Sequence, residues 1–344
     1  MYLGIDLGTS GVKATLIDAG QRVLGSETAP LTVSRPHPNW SEQDPADWIA
    51  ATEAALSALA RGQDLSGLRG IGLSGQMHGA VTLDAGGAVL RPAILWNDTR
   101  AHAEAAAMDA LPDVRRLSGN IVFPGFTAPK LVWMARHESA LFDRVACVLL
   151  PKDYLRLWLT GERVSEMSDA SGTSWLDVAG RDWSEPLLAA GGMRRDQMPA
   201  LVEGSAPSGH LRRDLAERWG IAGPVVVAGG AGDNAATAIG AGTVAEGQGF
   251  VSLGTSGVVF AASDRFLPAP DTAVHAFCHA LPATWHQMGV ILSASAALEW
   301  LAGVLNARAA DLTQDLGPLQ APGTALFLPY LSGERTPHND ALAK

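Results

Sequence analysis

Cysteine, tyrosine and charge are all scarce in this sequence. Two cysteines, Cys147 and Cys278, stand in 344 residues. That is too few for a disulfide framework and fits a reducing compartment, with both expected as small buried hydrophobes. Charged residues make up 17%, and 25 Lys and Arg against 35 Asp and Glu leave a net charge of −10, which argues against non-specific nucleic-acid binding. No run reaches 18 consecutive apolar residues, so no transmembrane helix is expected. The segment Met1–Gly11 lacks a basic stretch followed by an apolar one, so no signal peptide is expected and the protein reads as cytoplasmic. Apolar residues, by contrast, make up 47%, ample for a folded core. At roughly 150 residues per domain, about two domains are expected.

A repeat organises the chain. Leu7-Gly8-Thr9-Ser10-Gly11-Val12 recurs letter for letter as Leu253-Gly254-Thr255-Ser256-Gly257-Val258, an offset too long for a solenoid unit and suited to a duplicated domain. Each copy lies between two apolar runs, Tyr2–Ile5 and Val12–Ile17 in the first, Phe250–Ser252 and Val258–Ala262 in the second. Both read as β-hairpins. A third strand near Arg22–Ala29 follows the first hairpin, then a helix from Pro45 to Ala60 with Asp44 as N-cap and Ile49, Leu56 and Leu59 as anchors, then a strand Leu68–Leu73 leading into the loop Ser74–Gly79. The second copy repeats this order with a strand at Trp285–Leu292, a helix at Ala294–Leu305, and a strand at Ala325–Leu328 leading into Pro329-Tyr330-Leu331-Ser332-Gly333-Glu334-Arg335. The first half alone continues, through a long insertion, to a strand Val225–Val227 and a helix from Asp233 to Gly242. By the register of the repeat, the second half's remaining elements are expected to be missing.

Twin Gly-Thr-Ser-Gly turns offer successive main-chain N–H groups and hydroxyls to a polyphosphate, although ordinary tight turns have the same composition. Asp6, beside the first turn, would repel phosphate unless a Mg²⁺ ion bridged them. Asp233 follows Gly229-Gly230-Ala231-Gly232 and opens a helix; it reads either as a cap or as a general base for phosphoryl transfer. Trp96, at a strand exit, suits either a sugar-pocket wall or a packed aromatic at a lobe interface. Two tempting patterns are discounted. Gly70-Ile71-Gly72-Leu73-Ser74-Gly75 sits within a strand rather than before a helix, and His275, Cys278 and His279 lack a fourth zinc ligand at a usual spacing.

With these residues in view, the sequence resembles the FGGY family of carbohydrate kinases. Further matching segments are Arg35–Pro45, Gln76-Met77-His78-Gly79, Arg91–Arg100, Gly125–Lys130, Leu150–Tyr154 and Leu328–Asn339. Gln-Met-His-Gly marks the members that act on xylulose rather than glycerol. The resemblance implies a two-lobed α/β fold of the actin-like ATPase (ribonuclease H-like) type, with residues 1–245 as the sugar-binding lobe and 246–344 as an incomplete nucleotide-binding lobe. It implies ATP and Mg²⁺ as cofactors, D-xylulose as substrate and a homodimer. Asp233 would be the catalytic base and Asp6 the acidic residue at the metal. Met77, His78, Asp233 and Asn234 would bind sugar. Thr9, Ser10 and Lys13 would clamp phosphates with Gly254, Thr255 and Ser256. Alternatives are a kinase for another ketopentose or polyol, and a non-catalytic sugar sensor. With nucleotide-binding elements expected to be missing, an intact sugar site with weak or no ATP binding is expected.

Overall fold

Leu3, Ile5 and Leu7 are the buried residues of the first strand, β1 (Tyr2–Leu7), and Val12, Ala14 and Leu16 those of β2 (Gly11–Ile17). A period of two places one face of each strand in the core. The antiparallel register pairs Leu7 with Val12, Ile5 with Ala14 and Leu3 with Leu16 on that face. These relations come from a computed structural model, which describes residues 1–318, 321, 323–331, 333–340 and 342–343.

β3 (Val23–Pro30) extends the hairpin. α1 (Pro45–Gly62) starts as expected, with the Ala46 N–H donating to Asp44 Oδ1 at 2.9 Å and Pro45 at the first helical position. Its buried stripe is Trp48, Ala51, Thr52, Ala55, Leu56 and Leu59. Ile49 is only partly buried, and Trp48 takes its anchoring role. The next strand runs Gly70–Gly75 (β4) rather than Leu68–Leu73, because Ser74 and Gly75 pair in parallel with Asp6 and Leu7 of β1.

The chain then leaves the sheet for a long insertion that includes α2 (Thr127–His137) and α3 (Pro151–Thr160). It returns through β5 (Pro207–His210), β6 (Val226–Ala228) and β7 (Ala231–Gly232), and α4 (Asp233–Gly240) follows at once. The seven strands lie in the order β5-β6-β4-β1-β2-β3, with β7 also beside β4. Strands β1, β6 and β7 run parallel to β4. Their carboxyl ends therefore share one edge, where open α/β sheets bind ligands. One hydrophobic cluster fills the space between this sheet and α1, and a second lies within the insertion around Trp133, Trp175 and Trp183. Both cysteines are free and buried.

β8 (Gly249–Leu253), β9 (Gly257–Ser263), β10 (His275–Cys278) and β11 (Trp285–Ile291) form another sheet, ordered β8-β9-β11-β10. The repeated letters again close a hairpin, but in a different register. Leu253 pairs with Gly257, whereas Leu7 pairs with Val12, so the second turn is one residue tighter. α5 (Ser295–Val304) follows. The strand expected at Ala325–Leu328 does not form, and those residues are irregular and exposed. β8, the counterpart of β1, therefore keeps an unpaired outer edge among the described residues. Ser332, in the loop expected after it, lies outside the described residues. Among the described residues no helix is long and apolar enough to cross a membrane.

Candidate functional site

The parallel register brings two carboxylates to one edge of the first sheet. Asp6 on β1 stands beside Ser74 on β4, and Ser74 beside Ala231 on β7, two residues ahead of Asp233. The Ser74 hydroxyl donates to Asp6 Oδ1 at 2.5 Å. Asp233 is not the cap of α4, a position Gly232 occupies. Instead Asp233 Oδ1 accepts from the Asn234 main-chain N–H at 2.7 Å and from its side-chain amide at 3.0 Å. Desolvation pushes the Asp233 carboxyl up to about 6; the Asp6 charge adds to the rise and the Asn234 hydrogen bonds oppose it. The residue is nevertheless exposed to water.

Buried charges hold the chain that leads to Asp233. The Arg156 guanidinium donates to the Ala228 and Gly229 carbonyls at 2.7 and 2.5 Å. Farther along, the Gly232 N–H donates to Ser168 Oγ at 3.0 Å, and Ser168 Oγ donates to Glu166 Oε2 at 2.8 Å. Lys152 completes the cluster, 2.7 Å from Asp153, 2.8 Å from Asp169 and 3.2 Å from Glu166. All five charged side chains are fully buried, an expensive arrangement that persists only when its members satisfy one another. The sequence reading missed this cluster. Buried charges follow no periodicity, and Lys152 and Asp153 entered only as part of a matching segment.

After β4 the chain enters Gln76-Met77-His78. Met77 packs on the link to Asp233, where a Cβ on Gly232 would stand 2.9 Å from its Sδ. His78 adopts a left-handed backbone with φ 69°, which a non-glycine residue holds only when its surroundings impose it. Those surroundings are the Thr127 hydroxyl and the Lys130 ammonium, which donate to the His78 carbonyl at 3.1 and 2.7 Å, and Phe126, whose ring stacks on the imidazole at 4.6 Å. Desolvation holds the His78 ring down to about 3, so it is neutral. Its Nδ1 lies 2.7 Å from the Gly172 carbonyl. A carbonyl only accepts, so Nδ1 carries the proton and Nε2 is left as an acceptor.

The first turn is tied to this loop by side chains. The Thr9 hydroxyl donates to Gln76 Oε1 and accepts from Trp96 Nε1, both at 3.0 Å. Gln76 Nε2 donates to Gln43 Oε1 at 3.1 Å, and Gln43 Nε2 donates back to the Thr9 carbonyl at 2.8 Å. Trp96, half-exposed, is therefore a hydrogen-bonding neighbour of the turn rather than a core aromatic. The Thr9 hydroxyl is engaged, while the Thr9 and Ser10 amide N–H groups have no partner among the described residues. Lys13 faces Asp6 across the hairpin. Asp6, Lys13, Gly72, Ser74, Gly230 and Ala231 line a cavity of about 540 Å³ whose lining includes none of Asp233, Met77 and His78.

The second turn stands apart. Gly254 and Thr255 accept main-chain bonds from Ser295 and Ala294 at the start of α5. Among the described residues no hydrogen bond joins Gly254, Thr255 or Ser256 to the first turn, and none of the three lines the cavity. Nor can any group of three or more His, Cys, Asp or Glu among the described residues hold a metal ion, so the His275, Cys278 and His279 trio is not a metal site. Asp6 Oδ2 has no hydrogen-bond partner among the described residues. One carboxylate oxygen alongside phosphate oxygens is the donor set that Mg²⁺ takes, so Asp6 fits a Mg²⁺ that arrives with a nucleotide.

Residues 1–240 match the N-terminal domain of the FGGY family of carbohydrate kinases. The chain belongs to that family. This FGGY chain is 54% identical over 351 residues to the xylulose kinase of Klebsiella pneumoniae, spanning 100% of its own length and 72% of the relative's. A solved xyloylose kinase from Brucella ovis superposes with a TM-score of 0.97 at 62% identity, covering 99% of this chain and 71% of that one. The xylulose kinase of Rhodospirillum rubrum gives 0.90 at 31% identity, over 97% and 70%. The fold is thus the two-lobed actin-like α/β fold of FGGY kinases, as expected.

Proposed function

We propose that this FGGY kinase transfers the γ-phosphoryl group of ATP to the terminal hydroxyl of D-xylulose, giving D-xylulose 5-phosphate and ADP. The observation that carries the reading is the Asp233 carboxylate, raised to about 6 beside Asp6 at the ligand-binding edge of the sheet. Support for xylulose comes from the relatives of that name, which match along the whole chain. Residues 1–245 act as the sugar-binding lobe and 246–344 as part of the nucleotide-binding lobe. The sugar lies against Met77, His78 and Asn234 with its terminal hydroxyl at Asp233. As that oxygen bonds to the γ-phosphorus, the bond to the ADP oxygen breaks and the hydroxyl proton passes to Asp233, which at neutral pH is mainly ionised and ready to accept it. Asn234 fixes the carboxylate through its two hydrogen bonds. Main-chain N–H groups of Thr9 and Ser10, with Lys13, hold phosphate oxygens from one side, and Gly254, Thr255 and Ser256 hold them from the other. Asp6 would hold a Mg²⁺ ion, which would supply charge neutralisation to the phosphates.

An ADP-release assay across a panel of pentuloses and their polyols tests this. D-Xylulose is expected to be turned over fastest. Asp233→Ala is expected to lower kcat by roughly 10³-fold or more, while calorimetric titration shows that D-xylulose still binds. Turnover retained in Asp233→Ala removes the base, and preference for another sugar removes the substrate.

A further inference from the structure

Residues 334–336 are fastened to the edge of β11 beyond the point where its pairing with β10 stops, at Met288. The Thr336 N–H donates to the Val290 carbonyl, and the Val290 N–H to Thr336 Oγ1, each at 3.1 Å. Thr336 Oγ1 donates to the Ala273 carbonyl at 3.0 Å, and the Leu292 N–H donates to Glu334 Oε1 at 3.0 Å. Arg335, between these anchors, is carried across to residues of the first half of the chain. Its guanidinium carbon lies 5.0 Å from the centre of the Phe123 ring. Phe123 packs edge-on to Phe126 at 5.5 Å, and Phe126 is the ring on which His78 stacks.

This guanidinium has no evident structural employment. Among the described residues its side chain makes no hydrogen bond and no ion pair, and desolvation pulls its pKa below the ordinary value. The neighbouring Glu334 spends Oε1 on the N–H groups of Leu292 and Arg335 itself. The side chain is partly buried, and the face of Phe123 makes up only part of what its five N–H donors lack in protein partners. Glu334 Oε2 is buried without a partner, and its charge acts on Arg335; two further polar atoms nearby are also unused. His275 Nδ1 is buried without a partner, and His78 Nε2 is the free acceptor of its ring. Arg335 acts electrostatically on both histidines. Donors and acceptors thus surround one end of the sugar loop, with Met77 between them and Asp233.

We propose that Arg335 is a sugar-binding residue that recognises the carbonyl end of a ketose, its guanidinium donating to the carbonyl oxygen and the adjacent hydroxyl. The inference rests on the kinase reading above, in which Asp233 meets the opposite, terminal hydroxyl. An α-hydroxyketone presents two acceptor oxygens side by side, as a forked guanidinium prefers. The corresponding polyol replaces the flat carbonyl by a tetrahedral alcohol and loses that match. Discrimination then comes from donors that the wrong sugar leaves unpaired.

Calorimetric titration with D-xylulose and with xylitol, on the wild type, Arg335→Met and Arg335→Lys, tests it without requiring nucleotide. The wild type is expected to bind D-xylulose at least about tenfold more tightly than xylitol. Arg335→Met keeps bulk over Phe123. It is expected to weaken D-xylulose about tenfold or more, and xylitol little, so that the ratio approaches one. Arg335→Lys, which keeps the charge and the fold should Met fail to fold, is expected to restore part of the ratio. A ratio unchanged in both variants, or equal weakening of both sugars, overturns the proposal and leaves the kinase reading standing. A wild type that binds neither sugar overturns both.

Discussion

The same six letters close two hairpins in this molecule, and the two hairpins are not alike. At the first, Leu7 pairs with Val12 and is wholly buried; at the second, Leu253 pairs with Gly257 and is 72% exposed. The first turn is gripped by the side chains of Gln76, Gln43 and Trp96. The second leans mainly on main-chain bonds from the start of α5. The helices that follow differ in the same sense. α1 buries seven residues, whereas α5 buries only Ala297 and Ala302 and leaves Trp300, Leu301, Val304 and Leu305 exposed. A slip of one residue turns a strand's side chains to the other face, and nothing within the repeated letters prevents it. Tertiary anchors set the register: β4 and α1 supply them in the first sheet, and β8 has no such neighbour among the described residues.

The largest expected contrast is therefore between equivalent leucines. Leu7→Ala empties a site in the main core and is expected to cost about 2–5 kcal/mol. Leu253→Ala removes a side chain already in water and is expected to stay within about 0.5 kcal/mol. Urea unfolding of both variants checks this, and similar losses at the two positions would show that the hairpins are equally supported. Next comes Gln76→Ala. Gln76 is buried, and its loss takes the acceptor from the Thr9 hydroxyl and one of two donors from the Gln43 amide oxygen, which keeps Trp48 Nε1. A loss of about 1–3 kcal/mol is expected. D-Xylulose affinity is expected to fall with it, since the same backbone carries Met77 and His78.

Much of this was readable beforehand because it is local. Asp44-Pro45 announces a helix start, alternating Leu3, Ile5 and Leu7 announce a strand, and Gly229–Gly232 before Asp233 announces a strand-to-helix link. The long-range features were not readable. Asp233 was expected as a cap or a base; the structure gives the cap position to Gly232, and the sheet register brings Asp233 to the same edge as Asp6. Lys152, Arg156 and Glu166 look like surface charges until their partners, brought in from distant segments, are seen. The strand expected at Ala325–Leu328 was inferred by analogy with β4, and analogy supplies no pairing partner.

The site itself allows a smaller, signed effect. Burial beside Asp6 raises the Asp233 carboxyl to about 6. A base must be ionised to accept a proton, so kcat/KM for D-xylulose is expected to fall as pH drops through about 6, well above the range of an ordinary aspartate. Carbon-13 NMR titration of the carboxyl separates the contributions without any turnover. Asp6→Asn removes the neighbouring charge and is expected to lower the pKa, whereas Asn234→Ala removes hydrogen bonds to the ionised form and is expected to raise it. No shift in either variant would mean that desolvation alone governs the group.

The smallest effect returns to the second turn. Ser295 Oγ donates to the Gly254 carbonyl at 2.7 Å, and the Ser295 main-chain N–H donates to that same oxygen at 2.9 Å. Ser295→Ala deletes the first bond, keeps the second, and leaves the carbonyl oxygen satisfied at an exposed position, so the change is expected to lie within about 0.5 kcal/mol. At Gln76 the equivalent deletion takes the only acceptor among the described residues from the part-buried Thr9 hydroxyl, with no second bond to replace it. If Ser295→Ala costs as much as Gln76→Ala in the same urea titration, then side chains, and not the main chain of α5, hold the second turn, and the two copies differ in register but not in how they are secured.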